Sequence, residues 1–197
     1  MPVRLCLLNF LSGCVLTMCA AFAGPAKATV VTDGVWYEFA VDGVGSSATG
    51  CNPADPAGPF CISSSGTPTE FAPAPAWGIA LLNGGTLTVT DAFLNGDIFD
   101  IFDFGVLIGS TSPIGGAADC GDDPVVCLAD AGMSSGLFAL GTGAHSLTIV
   151  AAQAPSSSAV GYFRIDPLAA VPEPSTIGLL GSVVGFALWC RSRRAVR

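Results

Sequence analysis

The residues with the chemistry for covalent catalysis are one serine and one histidine. Residues 132–136 read GMSSG, which puts Ser134 at the centre of the G-x-S-x-G pattern of a nucleophile elbow. That motif requires a strand, a tight turn and a helix in a parallel sheet, whereas a short strand pattern follows it here. His145, the only histidine of the 197-residue chain, follows a Gly-Thr-Gly turn. We expect both residues to lie at turns, which makes a hydrolase the less favoured hypothesis.

Carboxylates at regular spacing offer a second kind of chemistry. Asp97, Asp100 and Asp103 recur every third residue in the segment DIFDIFDF. Because side chains alternate sides along a strand, Asp97 and Asp103 share one face and Asp100 points to the other. A regular strand therefore cannot gather all three, although Asp97 can still meet the nearby Asp91. Two carboxylates that converge in a cleft, one with a raised pKa, would favour a glycosidase.

The segment DCGDD adds three carboxylates in a predicted loop, at Asp119, Asp122 and Asp123. Calcium prefers several oxygen ligands, so these residues, or Asp91 with Asp97, are candidate calcium ligands. The ligand spacing of an EF-hand is absent from the sequence. Solvated acidic loops explain the same residues. The sequence predicts no cofactor, with calcium as the one alternative.

Five aromatic side chains lie in apolar strand patterns. They either stack on sugar rings as an exposed platform or fill the space between two sheets. The five are Trp36, Tyr37, Trp77, Tyr162 and Phe163. We expect them to be buried, and an exposed row would instead indicate carbohydrate binding.

Composition and charge limit the class of protein and its partners. A hydrophobic content of 51% is too high for a disordered chain, and 25 Gly with 14 Pro are too many for a helical one. Of the seven Lys and Arg, only Arg164 lies between Lys27 and Arg191, in the region that holds all 15 Asp and Glu. Such an acidic region repels phosphate backbones, which excludes nucleic acid as a partner.

The first 28 residues have the pattern of a secretory signal peptide. Arg4 precedes an apolar stretch at residues 5–22, and small-x-small sites end at Ala23 and Ala28. We predict cleavage after Ala28, because a strand pattern begins directly afterwards; an uncleaved anchor helix is the alternative. The protein is therefore expected to be exported.

Four of the eight cysteines, Cys51, Cys61, Cys120 and Cys127, lie in the region that would be exported. An even number in an oxidising compartment predicts two disulfides. Because both sequence-local pairs lie in loops, we predict Cys51–Cys61 and Cys120–Cys127, each worth about 2–3 kcal/mol. A metal site is the alternative, although C-x-x-C spacing is absent and the chain has one histidine.

Residues 29–170 are predicted to form one all-β domain. Apolar residues recur with a period of two in about seven or eight short segments, and turn residues separate them. Three of these turns, at residues 83–85, 95–96 and 141–144, are predicted to close hairpins. This pattern favours an antiparallel β-sandwich, in a form similar to a jelly roll.

Residues 171–197, VPEPSTIGLLGSVVGFALWCRSRRAVR, form a separate C-terminal segment. Its apolar run, residues 177–190, would extend roughly 21 Å as a helix, so it is a short transmembrane helix at most. Positive charge stays on the cytoplasmic side of a membrane, and the segment ends with a cluster of arginines that would retain it there. The residues predicted to do so are Arg191, Arg193 and Arg194.

Pro172, Glu173 and Pro174, followed by a short apolar run and an arginine cluster, closely resemble the PEP-CTERM sorting signal of Gram-negative bacteria. The resemblance covers residues 171–197. It implies recognition by an exosortase, a membrane processing enzyme, with cleavage near the Pro-Glu-Pro motif. It also implies a transient anchor in the inner membrane, followed by delivery to the cell surface or the exopolysaccharide matrix.

These observations predict a non-enzymatic exported protein with a structural or adhesive role. The alternative is a surface module that binds carbohydrate or calcium, and a secreted hydrolase is less favoured. The expected partners are an exosortase-type enzyme, the inner membrane before processing, and extracellular polysaccharide.

Overall fold

The structure, a computed structural model, describes residues 28–170. The predictions made for residues 1–27 and 171–197, namely most of the signal peptide, the Pro-Glu-Pro motif, the apolar helix and the arginine cluster, lie outside the described residues. Within 28–170 the chain forms ten strands and one helix. They are β1 Thr29–Val30, β2 Trp36–Val41, β3 Thr69–Phe71, β4 Trp77–Leu81, β5 Gly85–Asp91, β6 Ile98–Asp103, β7 Val106–Ser110, α1 Pro124–Ala129, β8 Ser135–Leu140, β9 Gly143–Gln153 and β10 Ala159–Pro167.

The strands form two five-stranded sheets that face each other. Sheet A has the order β1-β4-β9-β6-β7, and sheet B has the order β3-β2-β10-β5-β8. All pairs are antiparallel except those of the two short edge strands, β1 with β4 and β3 with β2. Without these two strands, the sheet orders are β4-β9-β6-β7 and β2-β10-β5-β8, the arrangement of an eight-stranded jelly roll. The prediction of a mostly β fold with two sheets is confirmed.

The three predicted hairpins are wrong. Residues 82–84, 92–97 and 141–142 each join a strand of one sheet to a strand of the other. The turn residues are needed for a different reason, because a chain that crosses between sheets must also bend sharply. Gly84, for example, has φ +79°, and a Cβ atom there would lie 2.7 Å from the carbonyl oxygen of Leu140. Turn chemistry therefore predicted where the chain bends, and not which strands pair.

A hairpin within one sheet occurs where none was predicted, between β6 and β7. Phe104 and Gly105 form its turn with φ angles of +47° and +77°, the positive values that a type I′ turn requires. Phenylalanine is unusual at such a position, so the sequence gives little indication of a hairpin turn here. The Phe104 side chain is exposed and does not pack in the core, so core packing does not prevent the backbone from adopting this turn.

The main core lies between the two sheets and is rich in aromatic side chains. Phe39 meets Phe99 edge-on with ring centroids 5.1 Å apart, and Trp77 packs on Phe163 at 4.6 Å. Tyr37 stacks on the same Phe163 at 5.3 Å. These rings come from both sheets and hold them together by apolar burial.

A smaller apolar cluster covers the outer face of sheet B. Trp36 and Tyr162 project from that face and pack with Cys120, Cys127 and Met133 of the connection between β7 and β8. The six-residue helix α1 lies in this connection, where a loop without helix was expected. Within residues 28–170, no helix has the length and apolar character needed to cross a membrane.

Candidate functional site

Ser134 and His145 do not form a catalytic pair. The Ser134 hydroxyl is fully buried, lies 2.6 Å from the Thr111 hydroxyl and donates to the Ser112 carbonyl oxygen at 2.6 Å. His145 lies on β9 of sheet A, whereas Ser134 precedes β8 of sheet B. A strand follows Ser134 in place of the helix of a nucleophile elbow. The hydroxyl instead forms hydrogen bonds within the connection between β7 and β8 and so stabilises it.

His145 is bound at both ring nitrogens. Nδ1 lies 2.7 Å from a carboxylate oxygen of Asp103, and Nε2 lies 3.0 Å from the Gly141 carbonyl oxygen. Burial lowers the pKa of His145, but the hydrogen bonds to Asp103 and Gly141 outweigh it, and the pKa is raised overall. Since both neighbours accept hydrogen bonds, the imidazolium form fits this position. The pair holds the start of β9 against the end of β6.

Asp91 and Asp97 do meet, at the end of the sandwich opposite to His145. Both are buried, and Asp97 lines a shallow groove of about 310 Å³ beside Pro155. The Asp91 carboxylate accepts hydrogen bonds from the amides of Ala92, Gly96 and Asp97 at 2.8–3.1 Å. Three of its acceptor positions are therefore used to hold the crossing between β5 and β6. Of the two groups of carboxylates that the sequence suggested as candidates for convergence, Asp91 with Asp97 is the one whose residues meet.

Both carboxyl groups are harder to ionise than ordinary aspartates. Burial raises the pKa of both groups, and the negative charge of Asp91 raises the pKa of Asp97 further. Asp97 therefore holds a proton more readily than Asp91 does, and its Oδ1 atom is buried without a hydrogen-bond partner. Because three backbone amides already hold the Asp91 carboxylate, the arrangement fits a structural role for that residue.

The other aspartates of the DIFDIFDF segment point elsewhere. Asp100 accepts a hydrogen bond from the Ser110 hydroxyl on β7. Asp103 binds His145 with one oxygen and the Ser146 amide with the other, at 2.9 Å. Asp100 therefore binds a residue of β7, and Asp103 binds two residues of β9. These different partners fit the expectation that Asp100 and Asp103 lie on opposite faces of β6.

The DCGDD carboxylates tie loops together and do not converge. Asp119 accepts from the Gly121 amide, and Asp122 accepts from the amide and the hydroxyl of Ser65 at 3.0 and 2.8 Å. Asp123 caps α1 through the Val125 amide and also accepts from the Thr67 amide. The three are not among the side chains that come close enough to share a metal ion in the part of the chain that the structure describes.

Both pairs of exported-domain cysteines are joined in the structure. Cys51 is linked to Cys61 and Cys120 to Cys127, with Cα–Cα distances of 5.7 and 4.8 Å. The first disulfide fixes the loop after β2, and the second closes the segment that carries α1. Their sulfur atoms are no longer thiols, so they are not available as thiolate metal ligands.

Glu38 is the buried titratable group that the sequence analysis missed. It is fully buried on β2, close to the sulfur atoms of Cys51 and Cys61, and one of its oxygens accepts from the Ile62 amide at 3.2 Å. Its other oxygen has no hydrogen-bond partner. Burial raises the pKa of Glu38 to about 7. The available signal was a single glutamate within the apolar strand segment WYEFAV.

The aromatic side chains do not form a sugar-binding platform. All five residues named as candidates are buried, either between the sheets or beneath the loops on sheet B. Arg164, whose charged group lies 4.7 Å from the Trp36 ring centre, also binds Asp166 at 2.8 Å. Trp36 therefore lies under a cation and is not free to stack on a sugar.

The described chain leaves the domain at one end of the sandwich. β10 ends at Pro167, and the amide of Leu168 donates to the carbonyl oxygen of Gly84 at 2.9 Å. The described chain ends two residues later, at Ala170. A disulfide-linked jelly-roll domain is thus followed directly by the Pro-Glu-Pro segment.

The family model for the PEP-CTERM protein-sorting motif matches residues 170–194. The chain therefore carries a PEP-CTERM sorting domain, and the resemblance noted in the sequence is confirmed. This motif supports an exported protein that crosses the membrane and is sorted by an exosortase. Comparison with the curated proteins and with solved structures gave no match.

Proposed function

We propose that this protein is a non-enzymatic structural or adhesive component of the cell surface or the exopolysaccharide matrix, released from the inner membrane by an exosortase. The observation that carries the proposal is the sorting motif at residues 170–194, which begins within three residues of the end of β10. The motif makes the chain a substrate of processing. The domain before it is the part that would be delivered.

The domain has the properties of a durable extracellular module. Two disulfides fasten its long loops, and an aromatic core joins its sheets. Two of the groups with catalytic potential are held in the fold, since Ser134 is buried and Asp91 holds a crossing between sheets. These features support a structural role over a hydrolytic one.

Substitution of the motif tests the proposal in the native host. In Glu173→Ala, we expect the unprocessed chain to accumulate in the membrane fraction and to be depleted from the surface and the medium. Glu70→Ala, which alters an exposed glutamate of the domain, is the matched control and should be sorted normally. Normal sorting of Glu173→Ala, Pro172→Ala and Pro174→Ala would contradict the proposal.

A further inference from the structure

The end of the sandwich from which the sorting segment leaves carries an exposed apolar surface. Val30, Leu82 and Leu168 surround a groove of about 460 Å³. Their exposed fractions are 82%, 93% and 57%. Three large aliphatic side chains around one groove are costly to expose to water, and such patches commonly mark a surface that contacts another apolar phase. We refer to this set as the exit patch.

The exit patch lies close to the sorting motif along the chain. Three residues lie between Leu168 and Pro172, so the two are at most about 14 Å apart even when the chain is fully extended. The patch is also held firmly to the fold, because the Leu168 amide is bonded to Gly84. Whatever surface the motif is presented at, the exit patch must therefore be close to it.

The sequence of the tail brings this end of the domain still closer to a bilayer. The apolar run at residues 177–190 is shorter than the roughly 20 residues that span a membrane as a helix. Such a mismatch is relieved when the bilayer thins and when flanking residues are drawn towards the interface. The residues between Leu168 and the apolar run are those flanking residues.

We propose that the exit patch rests on the lipid bilayer while the tail is inserted, and so fixes the orientation of the domain above the Pro-Glu-Pro motif. This inference rests on the proposed function, because it requires the tail to be in the membrane. Three side chains bind a bilayer weakly by themselves. A short tether raises their effective concentration to the order of millimolar, so that weak contacts are sufficient.

The local charge defines the lipid that suits this surface. Asp33 lines the same groove. Asp166, two residues before Leu168, is paired with Arg164 and adds no free negative charge. The carboxylate of Asp33 beside the patch is repelled by anionic headgroups. The patch is therefore suited to a zwitterionic surface, which it contacts through aliphatic side chains and not through charge.

Tryptophan substitution combined with brominated lipids tests this contact. The full chain is inserted into phosphatidylcholine and phosphatidylethanolamine vesicles, with and without bromine on the acyl chains, which quenches nearby tryptophan. Leu82→Trp reports on the exit patch, and Leu168→Trp is the second probe if the first variant does not fold. Leu94→Trp is the matched control, because Leu94 is also an exposed leucine, 71% exposed, on the sheet crossing at the opposite end of β5.

We expect brominated lipid to cause a loss of fluorescence from Leu82→Trp beyond that of the unsubstituted chain, and no such additional loss from Leu94→Trp. Trp189, in the tail, reports on insertion itself and should be quenched in every variant. If Trp189 is quenched and position 82 behaves like position 94, the inference is overturned, even where the patch later proves to contact a processing enzyme. If Trp189 is not quenched, the membrane tether fails, and with it both the proposed function and this inference.

Discussion

Three buried carboxyl groups give this domain an unusual relation to pH. Glu38 lies beside a disulfide, and Asp91 and Asp97 lie near one another at the end of the sandwich. Burial raises the pKa of all three above their ordinary values. Between the unfolded and the folded pKa values, the folded state therefore binds protons that the unfolded state releases, so we expect the contribution of these three groups to stability to fall as the pH rises.

Glu38 provides the clearest test of this behaviour. Its pKa rises from 4.5 to about 7 on folding, which corresponds to roughly 3 kcal/mol. That stability is fully present below the unfolded pKa and is lost as the pH rises through about 7. In Glu38→Gln we expect a free energy of unfolding that changes less between pH 5 and pH 8, measured with urea.

The matched control for this measurement is Glu70→Gln, an exposed glutamate on β3. It should keep the pH dependence of the unsubstituted protein. A Glu38→Gln variant that loses as much stability as the unsubstituted protein between pH 5 and pH 8 would show that Glu38 is ionised without cost in the folded state.

His145 gains a positive charge when it binds a proton, whereas a carboxylate loses a negative one. Its contribution to stability nevertheless changes with pH in the same direction, because its pKa is also raised in the folded protein. Its raised pKa means that the contribution of the Asp103 pair is present below pH about 6.5 and is lost as the pH rises through the folded value. Because the chain has one histidine, all imidazole NMR signals of a sample without a histidine tag come from His145. We expect an apparent pKa above 6.5, which Asp103→Asn should lower; an unchanged value in that variant would refute the pairing.

The strands were predictable and their partners were not. The segment VWYEFAV is rich in apolar and aromatic residues and becomes β2, and the cores of β4 and β5 follow from WGIALL and TLTVTDAFL. Alternation reports which residues face a core, but it carries no information on which strand lies beside another. Asn95 and Gly96 illustrate this, because a turn sequence suited to a hairpin here carries the chain from sheet B to sheet A.

The contacts at the candidate sites likewise divide into those that the sequence predicts and those that it does not. The two sequence-local cysteine pairs and the meeting of Asp91 with Asp97 follow from proximity along the chain. The engagement of Asp122 by Ser65 does not, because these residues are far apart in sequence and are joined only when two long loops pack on sheet B. Long-range loop contacts of this kind leave no periodic signal.

The turn between β6 and β7 provides a prediction at the level of the element. Gly105 has φ +77°, so Gly105→Ala should destabilise the domain by about 1–2 kcal/mol through the left-handed backbone. Gly116→Ala is the control, because a Cβ atom there meets open space and its φ is not in the left-handed region. Thermal unfolding of both variants gives the comparison. An equal effect of the two substitutions would show that the turn does not need its glycine.

At the scale of the whole molecule, the end of the domain and the sorting motif are adjacent along the chain. The jelly roll buries Ser134, Asp91 and Asp97, and its last strand ends at the exit patch, three residues before the match to the motif begins. The charged residues of the described region are almost all acidic, so we expect the domain to be repelled by anionic polymers. The motif supports an exported, membrane-transiting protein, which fits the proposed delivery outside the cell.

Intact mass with terminal peptide mapping, on protein from the surface, medium and membrane fractions of its native host, tests this account most directly. We predict mature protein that begins near Thr29, ends close to Pro174, and holds its four remaining cysteines as two disulfides. A chain that retains residues 177–197 in every fraction would contradict sorting by an exosortase and would show a protein that stays tethered to the membrane.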